Sequence, residues 1–555
     1  MKFSKLTLLL IFGFTIIFIL ISTICFYTIK SFKSSKTAIR PHIILIVADD
    51  VGWNDVGFHG SNQIPTPNID ALAYNGIILN RFYTAPSCTP SRTALLTGHN
   101  PIRFGLQGIP IAAGENLHLP IDVPTLPERL KELGYKTHLI GKWNLGAAFR
   151  NVTPNGRGFD SFFGYWSSYI SYFDHEGRAS NMTGFDMHSD FEPAWDTYGQ
   201  YATHLFTEIA EKMMRKHNVK EPMFLMLSHL AAHSGKNGTE LEVPDDEEND
   251  RIFGYIDDVK RRRYAGIIHE MDKSVGRVME ILAERKMLDN SVVIILSDNG
   301  AQTSGNLGNA GSNWPLRGLK MTVHEGGVRN FAAAYSPLFQ KPRQVNNDLL
   351  FIADLLPTFY AAGGGNIENL GPMDGINQWQ LLTENARSKR SEVLLHLDEV
   401  RFTAGYISDY GRYKLINGST LSEDYDLYYG EDGRGNSSPP YNINAVINSS
   451  AYIAIGKNIP VDEMLQLRKE ATLGNCRKPI SPDNKCTYKN WCLYDLFDDP
   501  CETTNIASTH PEVVKRLGEK LTEAWKYLKP QKPKIVDPKS NPIYNNNTWF
   551  TWLDD

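Results

Sequence analysis

The amino-acid sequence predicts an α/β fold, a mixed sheet flanked by helices, followed by a smaller C-terminal α+β domain. Three observations carry this reading. Between residues 40 and 385, apolar runs of strand length alternate with amphipathic helical stretches. The strand candidates are apolar on both faces, as in a sheet covered on both sides. Beyond residues 363–365 the character changes to Tyr-, Asn- and Ser-rich stretches with a cluster of cysteines.

A chain of 555 residues exceeds one average domain, so a main domain plus a smaller one is the expectation. A formal net charge of −5, with 21% charged and 42% hydrophobic residues, describes an ordinary globular surface. It lacks the basic excess that binding to a phosphate backbone requires, so no nucleic-acid partner is expected.

The first segment is different. Residues 6–29 carry no charge and run slightly past the roughly 20 apolar residues that span a bilayer. This reads as a signal anchor or a signal peptide, with a polar tether to residue 39. Lys2 and Lys5 before it and Lys30, Lys33 and Lys36 after it do not choose an orientation. No small-x-small site follows, which favours an uncleaved anchor and a membrane partner. Seven N-x-S/T triplets, at Asn151, Asn181, Asn237, Asn417, Asn436, Asn448 and Asn546, agree with the secretory pathway. The catalytic portion would then be luminal or extracellular, or secreted or lysosomal if residues 1–30 are removed.

Six cysteines point the same way. Cys25 lies in the apolar segment, Cys88 stands alone, and Cys476, Cys486, Cys492 and Cys501 cluster. In an oxidising lumen four clustered cysteines imply two disulfides of unspecified pairing, whereas a zinc site would favour short Cys-x-x-Cys pairs, which are absent.

In chain order, the strands are expected at residues 43–48, 138–140, 223–227 and 292–296. A helix is expected over 125–133, opened by a Thr125/Glu128 capping box and stopped at Gly134. A longer one over 264–287 places Ile268, Met271, Val275, Met279 and Leu282 on one face. The domains are read as 1–39, 40–385 and 386–555, the last ending in a helix over 512–527 and an extended, proline-marked tail from residue 530.

The residues at the carboxyl end of each strand candidate bear on function. Residues 43–48 run into Asp49 and Asp50, 292–296 into Asp298 and Asn299, 223–227 into His229 and His233, and 138–140 into Lys142. Ligands of open α/β sheets bind beyond the carboxyl ends of the strands, so these groups should converge. Asp49, Asp50, Asp298 and the Asn299 amide oxygen form a hard oxygen set suited to calcium or magnesium. Either Asp pair alone is equally a solvated loop; both together favour a metal.

Pro90 suits a first helical turn and Gly98 a helix end, which puts Cys88 at a helix N-terminus where a negatively charged oxygen is favoured. Arg92, one turn along, could face the same anion. By residue chemistry alone an ordinary buried thiol explains Cys88 equally well.

Cys88-x-Pro90-Ser91-Arg92 followed by Leu96-Thr97-Gly98 resembles the signature of the formylglycine-dependent sulfatases. The resemblance continues through Asp49-Asp50-Val51-Gly52-Trp53, Gly141-Lys142-Trp143, Arg157-Gly158-Phe159-Asp160, Ser297-Asp298-Asn299-Gly300, Asn313-Trp314-Pro315-Leu316-Arg317-Gly318 and Glu325-Gly326-Gly327-Val328-Arg329, and points to the group of arylsulfatases B, I and J. It implies an alkaline-phosphatase-like sheet and a sulfuric ester hydrolase whose Cys88 is oxidised to formylglycine by the formylglycine-generating enzyme. It further implies one calcium ion held by Asp49, Asp50, Asp298, Asn299 and the modified Cys88. Lys142, His233 and Lys320 would contact the sulfate, with Arg92 supporting the formylglycine hydrate. A hydrate hydroxyl would attack sulfur, the alcohol would leave protonated by His233, and elimination of sulfate would restore the aldehyde. The implied substrate is an aryl sulfate or a sulfated carbohydrate, such as N-acetylgalactosamine 4-sulfate of glycosaminoglycans.

Two departures stand out. The family reads Gly-Lys-Trp-His-Leu-Gly where this chain has Gly141-Lys142-Trp143-Asn144-Leu145-Gly146, and Asn144 cannot act as a base near neutral pH. The cysteines usual at the active-site rim are also missing, including from residues 171–178. The alternative reading is therefore a binding protein that keeps the sulfate pocket but has lost the release step. A phosphoesterase of related fold would attack with Ser or Thr, whereas Thr89 and Ser91 here belong to the cysteine motif.

Overall fold

The computed structural model describes residues 40–235, 241–419, 421–435 and 438–554. The apolar segment at residues 6–29, and with it the expected anchor, lies outside the described residues, as do Asn237 and Asn436. Among the described residues no helix is long and apolar enough to cross a membrane.

A ten-stranded mixed sheet organises the fold. Its strands are β1 (His42–Ala48), β2 (Ile77–Leu79), β3 (Lys136–Lys142), β4 (Ser161–Tyr165), β5 (His188–Ser189), β6 (Glu192–Pro193), β7 (Met223–Ser228), β8 (Ser291–Ser297), β9 (Ala332–Tyr335) and β10 (Gln344–Asn346), in the order β10-β2-β9-β8-β1-β7-β3-β4-β5-β6. The central run β8-β1-β7-β3-β4 is wholly parallel. The four strands expected from the sequence all lie in it, each a little longer than its apolar run because flanking polar residues continue the ladder.

Period-2 alternation divides β1 between two cores. Ile44 and Ile46 face one layer, formed with α1 (Pro67–Asn75), α4 (Ala202–Lys216) and α5 (Val259–Glu284). Ile43, Leu45 and Val47 face the other, with α2 (Cys88–Thr97) and α3 (Leu126–Glu132). The predicted stripe Ile268, Met271, Val275, Met279 and Leu282 is fully buried. Helix α5 starts five residues before the expected position because the Asp258 side chain caps it, accepting the Arg261 N–H at 2.7 Å. At α3 the Glu128 carboxylate accepts the Thr125 N–H at 2.6 Å, while the Thr125 hydroxyl donates to the Arg157 carbonyl.

A second, antiparallel sheet comprises β11 (Val393–Asp398), β12 (Thr403–Ser408), β13 (Tyr413–Asn417) and β14 (Cys492–Asp495), covered by α6 (Pro511–Trp525). The four clustered cysteines form two disulfides, Cys476–Cys501 and Cys486–Cys492. The chain after residue 530 is more than an extended tail. Lys534 pairs with Glu115 at 2.6 Å, Val536 bridges to Glu115, two 3-10 turns follow, and Thr548 bridges to Phe185. Burial of Trp549, whose indole N–H reaches the Gly177 carbonyl, fixes it there.

Candidate active site

Four adjacent parallel strands end at the same edge, so the residues just beyond them meet. Asp49 and Asp50 come after β1, Asp298 and Asn299 after β8, Ser228 ends β7, and Lys142 ends β3. Backbone bonds lock the ends together: Asp298 N–H donates to the Ala48 carbonyl at 3.1 Å and Asp49 N–H to that of Ala231 at 2.9 Å. The loop beyond β8 supplies Lys320, and α2 supplies Cys88 at its first residue and Arg92 one turn along.

All of these side chains are buried or nearly so. The Cys88 Sγ lies 3.5 Å from Asp49 Oδ1 and 4.0 Å from Asp50 Oδ1. The Lys142 ammonium donates to Asp49 Oδ2 at 2.6 Å and the Lys320 ammonium to Asp50 at 2.7 Å. His233 Nε2 is 3.6 Å from Asp50 Oδ2; its Nδ1 is 2.7 Å from the Ser234 carbonyl, which makes Nδ1 the protonated nitrogen and leaves Nε2 facing the carboxylates. Arg92 reaches Asp298 Oδ2 through Nε and a terminal nitrogen at 3.1 and 2.9 Å, and also the Lys142 carbonyl and Ser228 Oγ.

Burial alone would raise the Asp49 and Asp50 carboxyls. Lys142 beside Asp49, Lys320 beside Asp50 and His233 beside both overcome this, so both stay below the usual carboxylate range. Burial lowers His233, against the pull of Asp50. Burial also pushes the Cys88 thiol up to about 12; the two lysines oppose the shift, and Asp49 and Asp298 add to it. An unmodified Cys88 is therefore a protonated thiol at neutral pH and a poor nucleophile.

Backbone geometry aims these groups. Asp50 (φ 59°) and Asn144 (φ 57°) both occupy the left-handed region, which Asp and Asn tolerate better than most residues. A Cβ at Gly141 would lie 1.9 Å from the Ser228 carbonyl oxygen, so only glycine lets β3 pass β7 just before Lys142. A Cβ at Gly300 would lie 1.8 Å from the Gly326 carbonyl oxygen, so glycine likewise allows the two motif loops to touch.

Asp49, Asp50, Cys88, Arg92, Lys142, His233, Asp298, Asn299 and Lys320 join this cluster, while Arg92, Asn144 and His229 face differently from the expectation. Arg92 turns its guanidinium to Asp298 and Ser228 instead of to the Cys88 sulfur. Asn144 spends its amide on the loops around the site: its Oδ1 accepts from Thr89 Oγ1 at 3.0 Å and its Nδ2 donates to the Ile111 carbonyl at 2.9 Å. His229, expected to converge on the site beside His233, instead faces Ser274 Oγ at 3.2 Å on α5. Sequence reading missed Ser228, Tyr169, whose ring stacks on His233 at 5.2 Å, and Asn309, whose amide ties the Asp50 and Ala232 carbonyls. None of the three sits in a motif or carries a recognisable local signal.

The motif residues Arg317 and Glu325 serve another purpose. Arg317 donates to the Asp426, Asn484 and Glu502 carbonyls and to the Tyr494 hydroxyl. Glu325 shares the Lys414 ammonium with Glu502, both at 2.9 Å. The loop that carries Lys320 is thus riveted to the second sheet through a buried ionic network.

Single ligand atoms of Asp49, Asp50, Cys88 and Asp298 lie within 4.8 Å of one another. Asn299 Oδ1 is buried and has no partner, while its Nδ2 donates to Asp50 Oδ1 at 2.6 Å. An unsatisfied buried acceptor is costly, and a cation beside three carboxylates would satisfy it. The residues present fit a hard divalent ion.

A parallel-sheet edge that gathers three carboxylates, three cations, a histidine and a cysteine at a helix start defines a hydrolase site for an anionic ester. The sulfatase family model matches residues 41–365, and the chain belongs to the sulfatase family, the sulfuric ester hydrolases. It is 33% identical to mouse (Mus musculus) arylsulfatase J over 93% of this chain and 81% of that one. It is 30% identical to human (Homo sapiens) N-acetylgalactosamine-6-sulfatase over 61% of this chain and 65% of that one. The solved structure of Ps i-CgsB in complex with k-i-k-neocarrahexaose superposes with a TM-score of 0.68 at 24% identity, covering 92% of this chain and 97% of that one. The fold is that of the alkaline-phosphatase-like sulfatases.

Proposed function

We propose that this sulfatase removes sulfate from a sulfated sugar, such as N-acetylgalactosamine 4-sulfate of a glycosaminoglycan, using formylglycine made from Cys88 by the formylglycine-generating enzyme. The observation that carries the reading is the Cys88 Sγ set 3.5 and 4.0 Å from Asp49 and Asp50, whose carboxylates also receive Lys142 and Lys320. Formylglycine would supply a hydrated aldehyde as nucleophile, which a thiol held protonated to about pH 12 does not. Calcium, held by Asp49, Asp50, Asp298, Asn299 and the modified Cys88, would neutralise sulfate charge.

The chain's own residues complete the chemistry. Lys142 and Lys320 hold sulfate oxygens and stabilise charge that shifts during transfer. Arg92 fixes Asp298 and, through Ser228 and the Lys142 carbonyl, the geometry around residue 88. His233 presents an unprotonated Nε2 to the cluster; once that nitrogen takes up a proton from solvent, the proton passes to the departing alcohol oxygen. The non-turnover alternative rests on Asn144 alone, and the family and its arylsulfatase relatives give it no support.

The reading extends to the whole chain: a catalytic domain over 40–385, a disulfide-closed domain over 386–555, and residues 1–39 as the secretory signal or anchor. The amino-sugar sulfatase among the relatives supports the substrate class. The test is sulfate release from 4-methylumbelliferyl sulfate and from N-acetylgalactosamine 4- and 6-sulfates by protein coexpressed with the formylglycine-generating enzyme. Turnover well above a Cys88→Ala control is expected, with a peptide mass showing formylglycine at position 88; intact cysteine or activity equal to the control overturns the reading.

A further inference from the structure

A cleft of about 760 Å³ lies between the β5–β6 hairpin and residues 545–554. Its inner wall is Trp166, one residue beyond Tyr165, the register partner of Lys142 in the β3–β4 ladder. Trp166 stacks on His188 at 3.7 Å with the rings 10° apart. The opposite wall is Trp549 and Phe550 of the tail, and Arg150 closes one side with its guanidinium 5.1 Å above the Phe191 ring. A smaller hollow shares Trp166, Trp549 and Phe550 with the cleft and reaches Ile111 and Gly146. Ile111 is the residue whose carbonyl receives the Asn144 amide and whose N–H donates to Thr89, next to Cys88. The hollow thus reaches the Thr89, Ile111 and Asn144 contacts beside Cys88.

The tail is built into this place. Trp549 N–H donates to the Phe185 carbonyl at 2.9 Å, Leu553 N–H to that of Ala148 at 3.0 Å, and Arg150 N–H to the Asp554 carboxylate at 3.0 Å. Trp166 and Trp549 are buried, whereas Phe191 and Phe550 remain half-buried, with ring surface to offer. The volume lies within the range of small-ligand sites. Flat apolar rings among exposed polar groups, Arg150 and Glu192, match a pyranose, which has an apolar C–H face and a rim of hydroxyls.

We propose that this cleft, completed by residues 545–554, is the subsite for the pyranose unit joined to the sulfated sugar. The proposal rests on the sulfated-sugar reading above and deepens it: the tail selects oligosaccharide over isolated ester. Phe550 is a specificity residue here and touches no reacting atom.

The test compares 4-methylumbelliferyl sulfate with a chondroitin 4-sulfate trisaccharide carrying the sulfated N-acetylgalactosamine at its non-reducing end. Phe550→Ala and the surface variant Arg150→Ser should each lower kcat/KM on the trisaccharide about 3- to 10-fold, through KM, and leave the aryl sulfate within about 2-fold. Equal losses on both substrates, or none on the trisaccharide, overturn the subsite. Calorimetric binding of the same trisaccharide to Cys88→Ala protein needs no turnover, and there each second substitution should weaken affinity about 3- to 10-fold. If that weakening is seen but no sulfate is released by the unaltered chain, the subsite stands and the sulfatase reading fails; absent or unaltered trisaccharide binding overturns the subsite.

Discussion

The Lys142 ammonium lies 2.6 Å from Asp49 Oδ2, and both side chains are fully buried although 93 residues apart in the chain. A charge removed from water this completely is stable only while its partner remains. Lys142→Met should therefore lower unfolding free energy by about 3 to 5 kcal/mol as well as abolish turnover. Urea titration of the metal-free protein measures this, and a loss under about 1 kcal/mol would show that water reaches the pair.

Calcium should stabilise the folded chain, since Asn299 Oδ1 has no other partner. At a hundredfold excess over Kd the gain is about 2.7 kcal/mol, read as a rise in Tm that a chelator reverses. Asp298→Asn should abolish most of that rise. A calcium-independent Tm in the unaltered protein would remove the metal from the site.

Asn144 satisfies Thr89 and Ile111, so Asn144→Ala should cost about 1 to 3 kcal/mol of stability by leaving buried polar groups unpaired. Asn144→His should raise steady-state kcat about 100-fold by restoring a titratable group beside Thr89, the neighbour of Cys88, the lower end of what general base catalysis supplies. Unchanged kcat with intact formylglycine would mean that another group already takes that proton.

Glu502 gives the protein an acid limit. Burial by itself would raise its carboxyl, but the Lys414 ammonium and His324 beside it hold it down to about 2. A depressed carboxylate contributes stability above its unfolded pKa, near 4.5, and loses it as pH falls from there toward 2. Thermal midpoints should fall steeply across that window, and Glu502→Gln should flatten the fall while lowering the midpoint at pH 7. The same slope in both proteins would move the effect to other carboxylates.

Glycan occupancy should follow exposure. Asn151, Asn181, Asn448 and Asn546 are exposed, whereas Asn417 ends β13, is half-buried and has a buried Oδ1. Peptide mapping of protein from a secretory host should find the first four occupied and Asn417 largely bare; full occupancy at Asn417 contradicts that order.

The central strands were legible because burial on both faces leaves apolar runs, and the candidate site was legible because three of the four runs end in residues that cluster there: Asp49 and Asp50, Lys142, Asp298 and Asn299. Helix ends with side-chain caps were harder, as at Asp258, since a capping aspartate looks like any loop aspartate until its N–H partner is placed. Arg317 and Glu325 stood out as motif residues, yet only the fold reveals that they grip Tyr494, Lys414 and Glu502 rather than substrate.

The sequence by itself determined the α/β class, the family and which residues gather at the strand ends, because residue type and local period carry that information. The disulfide partners, the turning of Asn144 toward Thr89 and Ile111, and the return of the tail beside Trp166 were decided only by tertiary structure. Each depends on contacts between residues far apart in the chain, which hydrophobic burial selects collectively and no local pattern encodes.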